Sequence, residues 1–319
     1  MALSDYLRPE YLFRPSQIWQ RVQQKLHPQV GDFDQVMLPW GLPLRVRSFD
    51  FIGLHIRWFG VFDLCVSEVI WRLLDPGDTA IDVGANLGYI TSLMAARTGK
   101  TGKVLAIEPH PELYQELLTN LHNWQQMGCT NVHAENLAMG DHTGTAILRI
   151  PADFYYNRGL ASLEPSAATP SQNAPANDRS HDDRSYTVQL RPLDDLINTL
   201  TVAQVGVLKV DVEGHELAVL KGAQHLISQH RVRDIVFEDF GQYPTPVTQL
   251  LEDQGYRLFY LSKSFWGLCV GAIQNNPLTS TVLPEGPSYL ATTDPDRALN
   301  RLKHWGWDIF GIRGFNYQK

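Results

Sequence analysis

No apolar run in this sequence approaches 18 residues, which excludes a membrane-spanning helix on sequence grounds. The first residues carry Asp5, Arg8, Glu10 and Arg14, so they lack the apolar stretch of a secretory signal. Cysteine is sparse: Cys65, Cys129 and Cys269 stand alone, with no Cys-x-x-Cys and no Cys/His pair at zinc-ligand spacing. A reduced, cytoplasmic chain with buried thiols is the expectation. Charge is also thin, at 19% of residues, and its balance is acidic, with 27 Lys and Arg against 34 Asp and Glu. There is no basic run to follow a phosphate backbone, so no nucleic-acid partner is expected, and no membrane partner. The histidines show no ligand spacing, and no segment repeats.

What is present is a globular composition, 44% hydrophobic over 319 residues, enough for one large or two small domains. Residues 3–27 read as helix interrupted at Pro9 and Pro15. Residues 35–62 read as short strands, with turns at Gly41–Pro43 and Gly53. A helix over 67–74 closes at Asp75-Pro76-Gly77-Asp78. From residue 79 apolar strands alternate with helices. Strands are expected at 79–84, 103–109, from 131, 205–212 and 234–239. Helices are expected near 87–97, 111–127, 215–227 and 246–254. That alternation predicts an α/β fold with a parallel sheet covered on both faces. Segments 256–261 and 288–293 are expected to close the sheet as a hairpin-like pair. The reading divides the chain into an N-terminal cap over 1–75, a main domain over 76–300 and a tail over 301–319. Residues 152–185, with Pro165, Pro170 and Pro175 among Ser, Ala, Asn and Asp, read as a mobile insertion or lid. Tyr155, Tyr156, Asn157 and Arg158 at its start are candidates to meet a substrate.

The first strand of the alternation ends in DVGANLG (82–88). Gly84 and Gly88 permit a sharp strand-to-helix turn at the nucleotide-cofactor position of a doubly wound sheet. Asn86 stands where a dinucleotide fingerprint needs its second glycine, so a pyrophosphate fits poorly and a cofactor bearing an amino acid fits better. Asp82 is suited to an ammonium group, directly or through water. Glu108 follows Gly88 by 20 residues, at the end of the second strand, where an acid accepts hydrogen bonds from both ribose hydroxyls.

These segments, PGDTAIDVGANLGYIT (76–91), VLAIEPHPELYQELLTNL (104–121), NLAMGD (136–141) and LKVDVEGHELAVLKGA (208–223), resemble the FkbM family of S-adenosylmethionine-dependent methyltransferases. The last of them is the most specific. The resemblance implies a Rossmann-like seven-stranded methyltransferase fold whose last strand is antiparallel. It implies that Asp82, Gly84, Asn86 and Gly88 surround the methionine part of the cofactor and that Glu108 holds the ribose. Glu135, Asn136, Leu137 and Ala138 would lie near the adenine, and Ala85, Pro109 and Asp211 join the cofactor-contacting set.

Methyl transfer needs an aligned nucleophile and, for an alcohol, a base. Asp211, Glu213 and His215 at the end of the 205–212 strand are the candidates for that work, with Lys209 placed to pair with one of the acids. Against this stands a plainer expectation: Glu213 caps the helix that follows, and His215 sits on its solvated first turn. Glu238 and Asp239 end the next strand, and Glu238 joins the catalytic candidates. Carboxylates on two neighbouring strand tips also suit a divalent metal such as magnesium, although two acids do not require one. Tyr243, Phe265, Trp266, Trp305, Trp307, Trp40 and Trp58 supply faces for sugars or flat substrates, for core packing, or for a homodimer contact.

The leading expectation is O-methylation of a small-molecule or glycan hydroxyl. A carboxylate or a nitrogen on a peptide or amino sugar is the alternative acceptor. A nicotinamide-dependent oxidoreductase and a non-catalytic cofactor-binding scaffold are the remote readings. The first predicts an intact dinucleotide fingerprint and the second predicts damaged cofactor positions.

Overall fold

The computed structural model describes residues 9–13, 31–151, 154, 162–163, 184–200, 202–275 and 287–311. Tyr155, Tyr156, Asn157 and Arg158 lie outside the described residues, as do most of the 152–185 stretch and most of the expected helix over 3–27.

Fourteen strands are described: β1 Phe33–Met37, β2 Pro43–Arg47, β3 Thr79–Val83, β4 Lys103–Ile107, β5 Val132–Glu135, β6 Ala138–Met139, β7 Gly144–Ile150, β8 Ser162–Leu163, β9 Arg184–Arg191, β10 Val205–Val210, β11 Val232–Glu238, β12 Arg257–Ser264, β13 Gly267–Ala272 and β14 Ser288–Thr292. The main sheet runs β13-β12-β14-β11-β10-β3-β4-β5. Strands β5, β4, β3, β10 and β11 are mutually parallel, and β14 enters antiparallel between β11 and β12. This is the expected seven-stranded core with its antiparallel last strand. Segments 256–261 and 288–293 do pair antiparallel. An eighth strand, β13, extends the edge as a hairpin with β12, which the sequence reading did not foresee.

The central strands are buried on both faces: every residue of β10 is buried. One apolar cluster lies under residues 36–74, the helices Tyr89–Thr98 and Pro111–Gln126, and the C-terminal segment. A second lies under the helices on the other face. The helix Leu64–Leu73 is buried along its whole length against the sheet, so residues 36–74 share one core with the strands.

Three expectations change. Residues 51–59 are a helix, Phe51–Phe59, not a strand. Asp50 caps it by accepting from the Gly53 amide, and Ile52, Ile56 and Phe59 bury one stripe at helical spacing. Aromatic and β-branched residues disguise that stripe as strand. The expected helix over 215–227 is two short ones, Glu216–Lys221 and Gln224–Ser228. The break falls at Gly222, where a Cβ would lie 1.9 Å from the Gly140 carbonyl oxygen, so the second sheet sits directly on this backbone. That sheet, β6-β9-β7-β8, is the third change. It grows from the 136–141 exit and closes its own small core of Leu113, Leu148, Ile150, Phe154 and Val188. Its strands take in Ser162–Leu163 inside the 152–185 stretch and, from Arg184, the end of it.

The C-terminal residues 302–311 are docked. Arg72 donates to the carbonyls of Leu302, His304 and Gly306, while Glu68 accepts from the amides of Asp308 and Ile309. Among the described residues no helix is long and apolar enough to cross a membrane.

Candidate active site

The carboxyl ends of β3, β4, β10 and β11 meet at one edge of the sheet, where a doubly wound fold binds its ligands. The turn after β3 is built by Gly84, at φ 80°. A Cβ there would sit 1.9 Å from the Asp211 carbonyl oxygen, so the turns leaving β3 and β10 are in backbone contact. We expect Gly84→Ala to destabilise the chain by more than about 2 kcal/mol, the left-handed penalty adding to this clash. Denaturant unfolding measures it.

Asn86 follows at φ 50°, strained for a residue with a side chain. Its own Oδ1 accepts from the Leu87 amide, which holds the loop. Ala85 and Gly88 complete the turn, Ala85 buried and Gly88 capping the helix Tyr89–Thr98.

Glu108 is buried at the tip of β4. One oxygen accepts from the Asn86 amide at 2.8 Å and the other from the His110 amide at 2.8 Å. The acid therefore ties the glycine turn to the second strand. Burial pushes its pKa up to about 7, with the two amides opposing. Asn136 is exposed and donates to the Glu108 and Pro109 carbonyls at 2.7 and 3.1 Å. Leu137 is half-buried beside it, Ala138 is buried, and Glu135 pairs with His133 on the surface.

Asp82 is fully buried. Thr91 donates to one oxygen at 2.6 Å, and the ammonium that meets the other, at 3.3 Å, is that of Lys209. Lys209 lies opposite Asp82 in the ladder and also reaches Asp211 at 3.2 Å and the Gly84 carbonyl at 3.0 Å. Burial acts to lower its pKa, but Asp211, Asp82 and Glu238 outweigh it and hold the ammonium above the ordinary lysine range.

Asp82 and Asp211 contact this ammonium, and Glu213 and Glu238 act on it through their charge. Glu213 sits at φ 50°, a second strained non-glycine residue at the same edge. Burial, then Asp211 and Glu216, raise its pKa to about 7. Glu238 is raised to about 9 by burial, then by Asp211 and Asp63. The turn before the next helix is held by Glu216, which accepts from the Val212 and Gly214 amides. Glu213 is thereby left to the carboxylate group rather than to capping. Asp239 is taken up by the turn after β11, accepting from Gly241 and from the Thr245 hydroxyl.

His215 takes the N-cap position of the helix Glu216–Lys221 without a side-chain capping bond. The charges acting on it are Asp141 and His142, and burial lowers its pKa. Among the described residues its Nε2 is buried without a hydrogen-bond partner.

Two contributors escaped the sequence reading. Asp63 caps the helix Leu64–Leu73, and its charge adds to the rise of the Glu238 pKa. An Asp ahead of an apolar helical stretch was the available signal. His110 caps the helix Pro111–Gln126, and its ring stacks on Phe154 at 4.7 Å, linking the Glu108 tip to the second sheet. No sequence signal pairs residues so far apart.

Among the described residues no three His, Cys, Asp or Glu side chains converge as a metal-binding group. A cleft of about 700 Å³ opens at the opposite end of the strands, beside Gly77, Lys103 and Gly206. Its Arg233 is engaged by Asp78 and Asp234, so that cleft belongs to the structural ion network.

Comparison with known proteins follows the same edge. A family profile described as the methyltransferase FkbM domain matches residues 82–258. The hexuronic acid methyltransferase AglP of Haloferax volcanii is 26% identical over 196 residues, 60% of this chain and 70% of that protein. Methyltransferase sdnD of Sordaria araneosa is 30% identical over 198 residues, 55% of this chain and 72% of that protein. The crystal structure of the FkbM methyltransferase from Methylobacillus flagellatus aligns at 16% identity with a TM-score of 0.41. The alignment covers 75% of this chain and 52% of that one, so this chain spans about half its length.

Proposed function

The chain belongs to the FkbM methyltransferase family, and from that premise we propose that it uses S-adenosylmethionine to methylate a hydroxyl of a small molecule or glycan. The observation that carries this reading is the edge shared by β3, β4, β10 and β11. A buried acid grips the glycine turn there, and a carboxylate group surrounds a buried ammonium beside it.

The residues fit such a cofactor. Glu108 is a buried carboxylate with lone pairs beyond its two amide bonds, which suits the two hydroxyls of a ribose. The turn of Gly84, Ala85, Asn86 and Gly88 would take the methionine part, and Pro109, Asn136, Leu137 and Ala138 the adenine end. When bound, the cofactor supplies an electrophilic methyl on a sulfonium. The chain's part is to align the acceptor oxygen and take its proton. Asp211, Glu213 or Glu238 receives that proton, while Lys209, anchored by Asp82, fixes the Asp211 carboxylate. A carboxylate acceptor would be repelled by this group, which favours a hydroxyl. The Haloferax volcanii relative is named a hexuronic acid methyltransferase, so hexuronic acids are screened beside neutral sugars, and a methyl ester rather than a methyl ether as product would shift the acceptor to a carboxylate.

Calorimetric titration with S-adenosylhomocysteine, with NAD beside it, tests the reading. We expect micromolar binding of the first and none of the second, and Glu108→Ala should weaken it by about tenfold or more. No binding of S-adenosylhomocysteine would overturn the assignment.

The pH dependence follows from the raised acids. Ribose hydroxyls donate best to an ionised Glu108, whose pKa in the free chain is about 7. Affinity should therefore tighten as pH rises from 6 to 8, with proton release at the lower pH. Titrations in two buffers of different ionisation enthalpy read that release.

A base must be ionised to act, so turnover should rise with pH. Measured at saturating cofactor, the rising limb should fall between about 7 and 9, the window of the neighbouring Glu213 and Glu238, and comparing Glu213→Gln with Glu238→Gln shows which of the two carries it. A flat profile across that window removes both.

A further inference from the structure

We propose that the stacked rings of Trp266 and Trp305 form an acceptor subsite that seats a pyranose ring of an oligosaccharide at the rim of the active-site crevice. The inference rests on the methyltransferase reading and adds the substrate class.

The two indoles are exposed, 53% for Trp266 and 73% for Trp305, yet they are ordered against each other, 5.8 Å apart and 20° from parallel. The loops that carry them are fastened. Gly306 donates to the Trp266 carbonyl at 2.9 Å, and Gly267 and Gly306 form a parallel bridge. Trp266 donates its amide to the Ser264 hydroxyl, which donates to the Gly267 carbonyl. Phe265 meets Trp266 edge-on at 4.8 Å, and Phe13 meets Trp305 edge-on at 6.1 Å. Two exposed indoles held this firmly offer a flat face that a ligand ring meets at little cost in ordering.

The sheet register places the platform. Leu261 pairs with Ser288, which pairs with Glu238, so these residues share one level of the sheet. Strand β12 runs parallel to β11 and continues past that level to Ser264, whose partner is Gly267. The platform therefore lies about three residues, or roughly 10 Å, further along the strands than Glu238 and two strand spacings, again roughly 10 Å, to the side of it. A ligand spanning that interval is a short oligomer.

The chemistry at the two ends selects a sugar. The negative face of an indole attracts the polarised C–H face of a pyranose. The carboxylates of Asp211, Glu213 and Glu238 accept from hydroxyls. A second copy of the chain is the poorer occupant. Lys263, Ser264, Lys303 and His304 around the rings are exposed and polar. Interface cores are depleted of such charged side chains.

The test uses the full chain loaded with S-adenosylhomocysteine, titrated with hyaluronan tetrasaccharide and with cellotetraose. Indole N–H resonances are followed by NMR and self-association by light scattering. At least one sugar should shift the Trp266 and Trp305 indoles. The double variant W266A/W305A should bind it about tenfold or more weakly while holding S-adenosylhomocysteine unchanged. Should the double variant misfold, Trp305→Gln alone gives the same reading. Neither sugar moving the indoles, or unchanged sugar affinity in the variant, overturns the subsite. So does a wild-type dimer that the variant dissolves. Sugar binding at the platform without S-adenosylhomocysteine binding would instead overturn the methyltransferase reading and leave the platform standing.

Discussion

Asp211→Asn should bind S-adenosylhomocysteine as the wild type does and turn over about 10²–10⁴ times more slowly, the usual contribution of a positioned general base. Asparagine keeps the shape and loses the charge. Lys209 keeps Asp82 and the Gly84 carbonyl as partners, so the buried ammonium is not orphaned. A second readout separates proton transfer from electrostatic tuning. The Asp211 charge helps hold both Glu213 and Glu238 above the ordinary glutamate range. Removing it lowers both, so the rising limb of the pH–rate profile should move to lower pH. A shifted limb with unchanged maximal turnover would make Asp211 a tuning group and pass the base role to Glu213 or Glu238. Unchanged turnover with an unmoved limb would take Asp211 out of the site.

Glu68→Ala should cost about 3–5 kcal/mol, the range for breaking a buried ion pair from one side. The Arg72 guanidinium and the Glu68 carboxylate are almost wholly buried and meet at 2.5 Å. Burial acts to raise the Glu68 pKa, and Arg72 leads the groups that oppose it. The substitution leaves Arg72 with three carbonyls and only the half-exposed Asp308 carboxylate, at 3.4 Å, for its charge, and strips the Asp308 and Ile309 amides of their acceptor. The docked segment 302–311 should then exchange amide hydrogens faster than the sheet does. Thermal unfolding measures the loss, at roughly 2–4 °C per kcal/mol. A shift below one degree would show that the pair contributes nothing net. Glu68→Gln, which keeps an acceptor for one amide, should lose less.

Much of the fold was legible because its signals are local. Turn residues at Asp75–Asp78, apolar stretches at 79–83 and 205–210, and proline at the start of the helix Pro111–Gln126 each announce an element within a few residues. The helix Phe51–Phe59 was misread because side chains that fill a helical stripe are also the ones that favour strands. The second sheet was not legible: its strands pair residues 144–150 with 184–191, across a stretch whose composition signals only loop.

The α/β alternation, the glycine turn, Glu108 at the second strand tip and the acids at 211, 213 and 238 are written in residue order alone. These follow from spacing along one strand and the turn after it, where chain neighbours settle the geometry. Which of them meet is set by packing between elements. It gave Asp82 to Lys209, capping to Glu216 instead of Glu213, and His215 to the side of Asp141. It let the Asp63 charge act on Glu238 and set Trp305 against Trp266. Each of these pairings depends on how strands are ordered and how a buried charge finds its partner, and neither is a property of a local window of sequence.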